Sequence, residues 1–230
     1  MNYYRHFAAQ TLAEELRSPL VYLLSFLYAA LGLILVALLG RSGLPPEKLR
    51  FFGLVLTLNG LSLLGYVGIF FASQRAFFRE KKARTLTMTL CSPASLDEVF
   101  WGKVAGLTAS GFALPALALL AVSAVFAPRA MAALASWEAA AGLLLVFAAQ
   151  AVCAAVTGMF MLSAKDERSA AVVLYVFFGL QSALAALAKS AAGTAGGPLL
   201  QYGAVTAATA LLAGAGYRLW FSKIRVVESA

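Results

Sequence analysis

Charged side chains are scarce in this sequence of 230 residues, where Lys, Arg, Asp and Glu together make up 12%, about half the share of a soluble domain. Hydrophobic residues supply 62%, so composition argues against an ordinary water-soluble enzyme. Histidine occurs once, as His6, and is read either as an interfacial polar residue or as an isolated catalytic or ligand candidate. All ten carboxylates fall outside the long apolar runs. A general base for an intramembrane protease or hydrolase is therefore missing, as is the mid-membrane ionisable group on which ion-coupled carriers and proton pumps rely. Cysteine occurs twice. Cys91 lies in a polar segment and Cys153 inside an apolar run, so neither a disulfide nor a thiolate metal site is expected. The phosphate-binding pattern G-x-x-x-x-G-K-[ST] is absent, because Gly102-Lys103 has no upstream glycine at the required spacing. No cleavable signal peptide is expected either: the first apolar run follows Glu14, Glu15 and Arg17 and is too long for a signal core.

What the sequence does contain is uncharged stretches of the length that crosses about 30 Å of hydrocarbon as helix. Six are found: Leu20 to Gly40, Phe51 to Ala72, Val104 to Ala127, Ala139 to Ala164, Ser169 to Ala188, and Pro198 to Tyr217. None shows the alternation of a barrel strand, and a lipid-exposed backbone must satisfy its own hydrogen bonds. The expected fold class is an all-α membrane protein of six transmembrane helices. An even number of spans places both termini on one side. Thirteen Lys and Arg residues fall on the side holding the termini and the segments after spans 2 and 4, against Arg41, Lys48, Arg50, Arg129 and Lys189 on the other. The positive-inside rule makes both termini cytoplasmic. The net charge of +8 is thus read as topology, and nucleic acid is not an expected partner. Trp101, Trp137, Tyr217 and Trp220 stand at predicted span ends, the headgroup level favoured by amphipathic rings.

Residues 1–18 read as an interfacial amphipathic helix, with Tyr3, Tyr4, Phe7, Ala8, Thr11, Leu12 and Leu16 on one face and Arg5, His6, Gln10, Glu14 and Arg17 elsewhere. Ser18 and Pro19 suit the N-cap and first turn of span 1. Residues 19–230 form the expected transmembrane domain, with a long cytoplasmic loop over 73–103. There, Gln74 to Arg84 reads as a basic continuation of span 2, and Ser92-Pro93 as a break. Ser95 with Glu98 three residues on is a capping box that starts the next helix. The basic residues Arg75, Arg79, Lys81 and Lys82 either hold topology by attraction to anionic lipid or serve the segment as a whole. Asn59, Gln150 and Gln181 are polar residues within spans, open to two readings: hydrogen bonding between helices or contact with a substrate. Gly102 and Gly106 make a G-x-x-x-G suited to close helix packing, and Pro115 is expected to kink span 3.

The stretch Glu80 to Lys103, EKKARTLTMTLCSPASLDEVFWGK, joins an acidic and basic run to Arg-x-Leu-x-x-x-Leu-x-Ser-Pro and a Gly-Lys. It resembles the loop between spans 2 and 3 of the ABC type-2 permease family, with Arg84 where a glycine is common and Thr87 where an acid is common. The layout of amphipathic helix, six spans and long first cytoplasmic loop resembles that family over most of the chain. The resemblance implies the permease subunit of an ATP-binding-cassette exporter, a multi-pass protein of a prokaryotic cytoplasmic (inner) membrane. Such a chain is not itself an enzyme and binds no cofactor. It pairs with a second permease subunit, as homodimer or heterodimer, and ATP with Mg is used by a separate ABC ATPase subunit. By the same resemblance Thr85, Leu86, Met88, Leu90, Ser92 and Pro93 form the coupling helix on the ATPase, and Asn59 and Gln181 lie along the translocation path. Two alternatives stand beside it. One is a haem-exporter-like permease of cytochrome c maturation, favoured by SGFALPALALL in span 3 although span 5 lacks a proline-flanked apolar signature. The other is a non-transporting membrane scaffold or assembly factor.

Overall fold

The structure is a computed structural model, and it describes residues 3–41, 46–83, 94–126, 136–163, 172, 175, 179 and 198–220. Among these residues there is helix and no strand. Helix α1 spans Tyr3–Leu16, α2 Pro19–Arg41, α3 Pro46–Ser73, α4 Leu96–Phe126, α5 Trp137–Ser163 and α6 Pro198–Trp220. Beyond Ser73 the third helix runs on as a π-helical stretch, Gln74–Arg79, and closes with an α turn, Glu80–Lys82. The helices cover five of the six apolar runs. The fifth run, Ser169 to Ala188, lies outside the described residues apart from Val172, Tyr175 and Gly179, which are helical.

Local sequence accounts for where the helices begin. Proline occupies the first position of α2, α3 and α6, where its missing N–H forfeits no intrahelical bond and its fixed φ suits the helix. At α5 the Ser136 hydroxyl accepts from the Ala139 N–H at 3.3 Å. The capping box forms at α4: the Ser95 N–H donates to Glu98 Oε2 at 2.9 Å, and the Glu98 N–H donates back to the Ser95 hydroxyl at 3.2 Å. Pro115 lies inside α4 without dividing it.

Two helices, Gly60–Lys82 and Ala139–Ser163, are long and apolar enough to cross a membrane. Tyr3–Leu16 and Val21–Ile34, bent by 68° to one another, make a third if taken as one span. Large apolar side chains point outward on these elements, among them Tyr22, Phe26, Ile34, Leu63 and Leu144. Such a surface suits a hydrocarbon solvent and would be costly in water.

α4 is the central element, with α1, α2, α3 and α5 all packed on it, and α5 also carries α3 and α6. Two clusters hold the bundle. The larger gathers Tyr66, Ile69, Phe70, Phe77 and Phe78 from the third helix, Phe100, Val104 and Leu107 from α4, and Cys153 and Met161 from α5. The smaller joins Tyr28 of α2, Leu58 and Leu61 of α3, and Val146 of α5.

The G-x-x-x-G of α4 is the seat of α1. A Cβ on Gly102 would stand 2.8 Å from the Tyr4 carbonyl oxygen and the Phe7 Cβ, and one on Gly106 would stand 2.7 Å from the Ala8 carbonyl oxygen. Only hydrogen at these positions lets the two backbones approach so closely. The amphipathic face of α1 is largely the expected one, with Thr11 buried and Arg5, His6, Gln10, Glu14 and Arg17 exposed. Tyr4 departs from it, being 40% exposed. Glu15, which the helical pattern left unassigned, is buried because it meets an arginine from the third helix.

Candidate functional site

The residues flanking the 84–93 segment converge on the π-helical extension of the third helix. The basic residues read from the sequence as one cluster separate here into two groups. Arg75 Nη2 donates to Glu15 Oε2 at 2.5 Å, which ties α1 to the extension. Lys103 of α4 donates to the Ala76 carbonyl at 2.9 Å and to Glu80 Oε1 at 2.5 Å, and its ammonium lies 5.8 Å from the centre of the Phe77 ring. Lys81 donates to the Leu162 carbonyl at 2.6 Å, in the last turn of α5. That carbonyl is among those a helix end leaves without an intrahelical donor, and a cation there also meets the negative end of the helix dipole. Lys81 is buried by this placement. Arg79 and Lys82, in contrast, are exposed, with Lys82 lying over the Phe78 ring.

Two further ties close the site. The Ser73 hydroxyl shares a hydrogen bond of 3.0 Å with Thr157 of α5, next to Gly158, on which a Cβ would collide with the Phe77 ring. The Tyr217 hydroxyl of α6 donates to Asp97 in the first turn of α4. Phe100, Trp101 and Tyr217 pack round it with ring centres 5.2 to 5.4 Å apart, in the tilted and edge-on arrangements that aromatic quadrupoles favour. Every described helix except α2 thus has a polar or ionic tie at this end.

The segment itself leaves at Ala83 and returns at Ala94, which is buried against the larger cluster. Thr85, Leu86, Met88, Leu90, Ser92 and Pro93, the expected coupling residues, lie outside the described residues, as do Gln181 and Cys91. Asn59 stands on α3, and its side chain also lies outside the description. Gln150, the other polar residue singled out within the spans, is fully buried. Its Nε2 donates to the Leu61 carbonyl at 3.2 Å, and Tyr28 of α2 donates to the same carbonyl at 2.7 Å. Gly65, one turn after Leu61, makes room for the amide, since any Cβ there would collide with Gln150 Nε2. One carbonyl therefore joins α2, α3 and α5, which is hydrogen bonding between helices. Gln150 Oε1 is buried without a partner.

Sequence reasoning missed the inward placement of Arg75, Lys81 and Lys103 and the pairing of Tyr217 with Asp97. The available signal was the position of Arg75 and Lys103 close beside apolar runs; Lys81 carried no such signal. No group of three or more His, Cys, Asp or Glu residues among the described residues is placed to hold a metal. No protein-family model matches the chain, and no curated protein sequence matches it either.

Proposed function

We propose that the chain is the permease subunit of an ATP-binding-cassette exporter, with six membrane spans and both termini cytoplasmic. In this reading it works as a dimer, with ATP hydrolysis carried out by separate subunits. The observation that carries the proposal is the loop sequence Arg84 to Pro93 together with the platform on which it stands. A segment that receives a push from a soluble partner transmits force only if its two roots are anchored to the bundle. Both roots are: the outgoing helix through Arg75, Lys81 and Glu80, and the returning helix through Lys103 and the Tyr217–Asp97 bond. The bundle surface, apolar on its flanks, supports the membrane setting of this reading, and a multi-pass protein of an inner membrane is part of the proposal. Thr85, Leu86, Met88, Leu90, Ser92 and Pro93 are the proposed ATPase contacts, and Asn59 and Gln181 the proposed path residues.

The test is co-purification, from membranes, of the full chain with a candidate ATP-binding-cassette ATPase, comparing the native sequence with Leu86→Glu/Leu90→Glu. The expected result is a stoichiometric complex that the double substitution abolishes while the permease still folds. Recovery of the chain without any ATPase, or a complex indifferent to both substitutions, overturns the proposal.

A further inference from the structure

The six residues Gln74–Arg79 are π-helical, a conformation adopted by well under 1% of residues and concentrated at functional positions. A π turn holds about one residue more than the α-helix it interrupts. Everything after it is consequently turned by the angle of one residue, about 100°, relative to an uninterrupted α-helix. Three contacts depend on that turn. Lys103 takes the Ala76 carbonyl, inside the π stretch, and Glu80 just after it. Lys81 reaches Leu162. If the stretch closed to α-helix with α3 held in place, Glu80 and Lys81 would rotate away from both partners together.

The contacts upstream do not share this dependence. Ser73 precedes the stretch and is tied to Thr157, and the Gly65–Gln150–Leu61 junction lies two turns further back. The third helix therefore has a half tied ahead of the stretch and a half whose register is held by the buried Phe77 and Phe78, by Arg75 on Glu15 and by the contacts of Lys81 and Lys103. Lys103 adds the contact that opposes closure from a neighbouring helix. Its ammonium is a stronger donor to the Ala76 carbonyl than a neutral amide, and it is charge-paired to the carboxylate that only the π register brings within reach.

We propose that the inner end of the third helix is a two-register switch: a π register held by Lys103 through Ala76 and Glu80, with Lys81 buried, and an α register in which Lys81 is exposed. The switch is a property of this chain alone and does not depend on an ATPase partner.

The two registers differ in the accessibility of one amine, and acylation of the full chain in nanodiscs, read by mass spectrometry, reports it. In the native protein Lys81, 3% exposed, is expected to react at least tenfold more slowly than the exposed Lys82. Replacing the clamp by the neutral pair Lys103→Met/Glu80→Gln is expected to bring Lys81 to within about twofold of Lys82. Cys153, fully buried in the core, should still resist alkylation by N-ethylmaleimide. A Lys81 that stays protected in this variant overturns the switch. Loss of Cys153 protection together with that of Lys81 also overturns it, because the clamp is then a support of the whole fold. Deleting Gln74 supplies the second arm: it removes the extra residue and keeps the downstream register, so Lys81 should remain protected even with the clamp neutralised. Exposure of Lys81 in that background counts against the proposal as well.

Discussion

Replacing Gly106 by alanine should destabilise the protein, while the same change at Gly214 should stabilise it. Both glycines are helical, and in both the added methyl gains about 1 kcal/mol of helix propensity. They differ in what the methyl meets. At Gly214 there is nothing within 4 Å, so the gain stands alone. At Gly106 the new Cβ would lie 2.7 Å from the Ala8 carbonyl oxygen, 2.8 Å from the Thr11 Cβ and 3.2 Å from the Leu12 nitrogen, all short of the 3.4 Å at which ordinary contact begins. None of these atoms is the end of a flexible side chain. Relief requires α1 to withdraw as a body by several tenths of an ångström, loosening the seat on α4 and the Glu15–Arg75 bond at its far end. Overpacking of this kind costs roughly 1–3 kcal/mol, and the rigid neighbours place it in the upper half. The net effect is about 1–2 kcal/mol of destabilisation, against about 1 kcal/mol of stabilisation at Gly214. For a chain of this length the gap corresponds to roughly 4–12 °C in Tm. Thermal unfolding in mild detergent, followed by size-exclusion recovery, measures it. A Gly106→Ala protein that melts at or above Gly214→Ala would refute the seating of α1 on the glycine pair.

Two further predictions follow from the polar junctions. Lys103→Met alone removes the ammonium from the Ala76 carbonyl and from Glu80, whose side chain is partly exposed; loss of such charge-assisted bonds costs about 1.5–3 kcal/mol. Adding Glu80→Gln should recover a large part of that loss, which a double-mutant cycle in the same melting assay would show. Gln150→Leu removes an amide that makes one bond of 3.2 Å and leaves its oxygen unpartnered. The unmet desolvation of Oε1 offsets the bond, so stability should change by no more than about 1 kcal/mol; a loss of 3 kcal/mol or more would mean that the amide has partners beyond the Leu61 carbonyl.

The legible parts of the fold were those set by chemistry close in sequence. Ser95 and Glu98 announce the start of α4 because a capping box needs only residues three apart, and Pro19 and Pro198 stand at helix starts read from the sequence, whereas the third helix begins at Pro46, five residues ahead of the expected Phe51. Gly102 and Gly106 announced a packing seam but not its occupant, because the spacing fixes a groove on one helix and says nothing of the backbone that fills it. The π stretch left no trace at all. Its sequence, QRAFFR, has the apolar spacing of an ordinary amphipathic helix, and the side chain that meets its Ala76 carbonyl, Lys103, lies twenty-four residues beyond Arg79. Tyr217 and Asp97 are 120 residues apart, and each reads alone as an interfacial or solvated side chain. Of the candidate site, the roots were therefore readable as helix ends, whereas the ties between them depended on tertiary contact.

Those ties change what the basic residues mean. Counting Arg75, Lys81 and Lys103 toward a positive cytoplasmic face treats them as charges in water, yet in the folded protein each is held by a carboxylate or a carbonyl. The two statements refer to different moments. Orientation is decided while the helices insert, before they pack and while every ammonium and guanidinium still acts as a free charge. Packing afterwards draws three of them inward. What remains outward on the described part of the extension is Arg79 and Lys82. A docking partner or an anionic headgroup would meet those two charges, so substitutions at Arg79 and Lys82 should weaken attraction without loosening the bundle. Substitutions at Lys81 and Lys103 should act instead on the helix ends that these two side chains tie together.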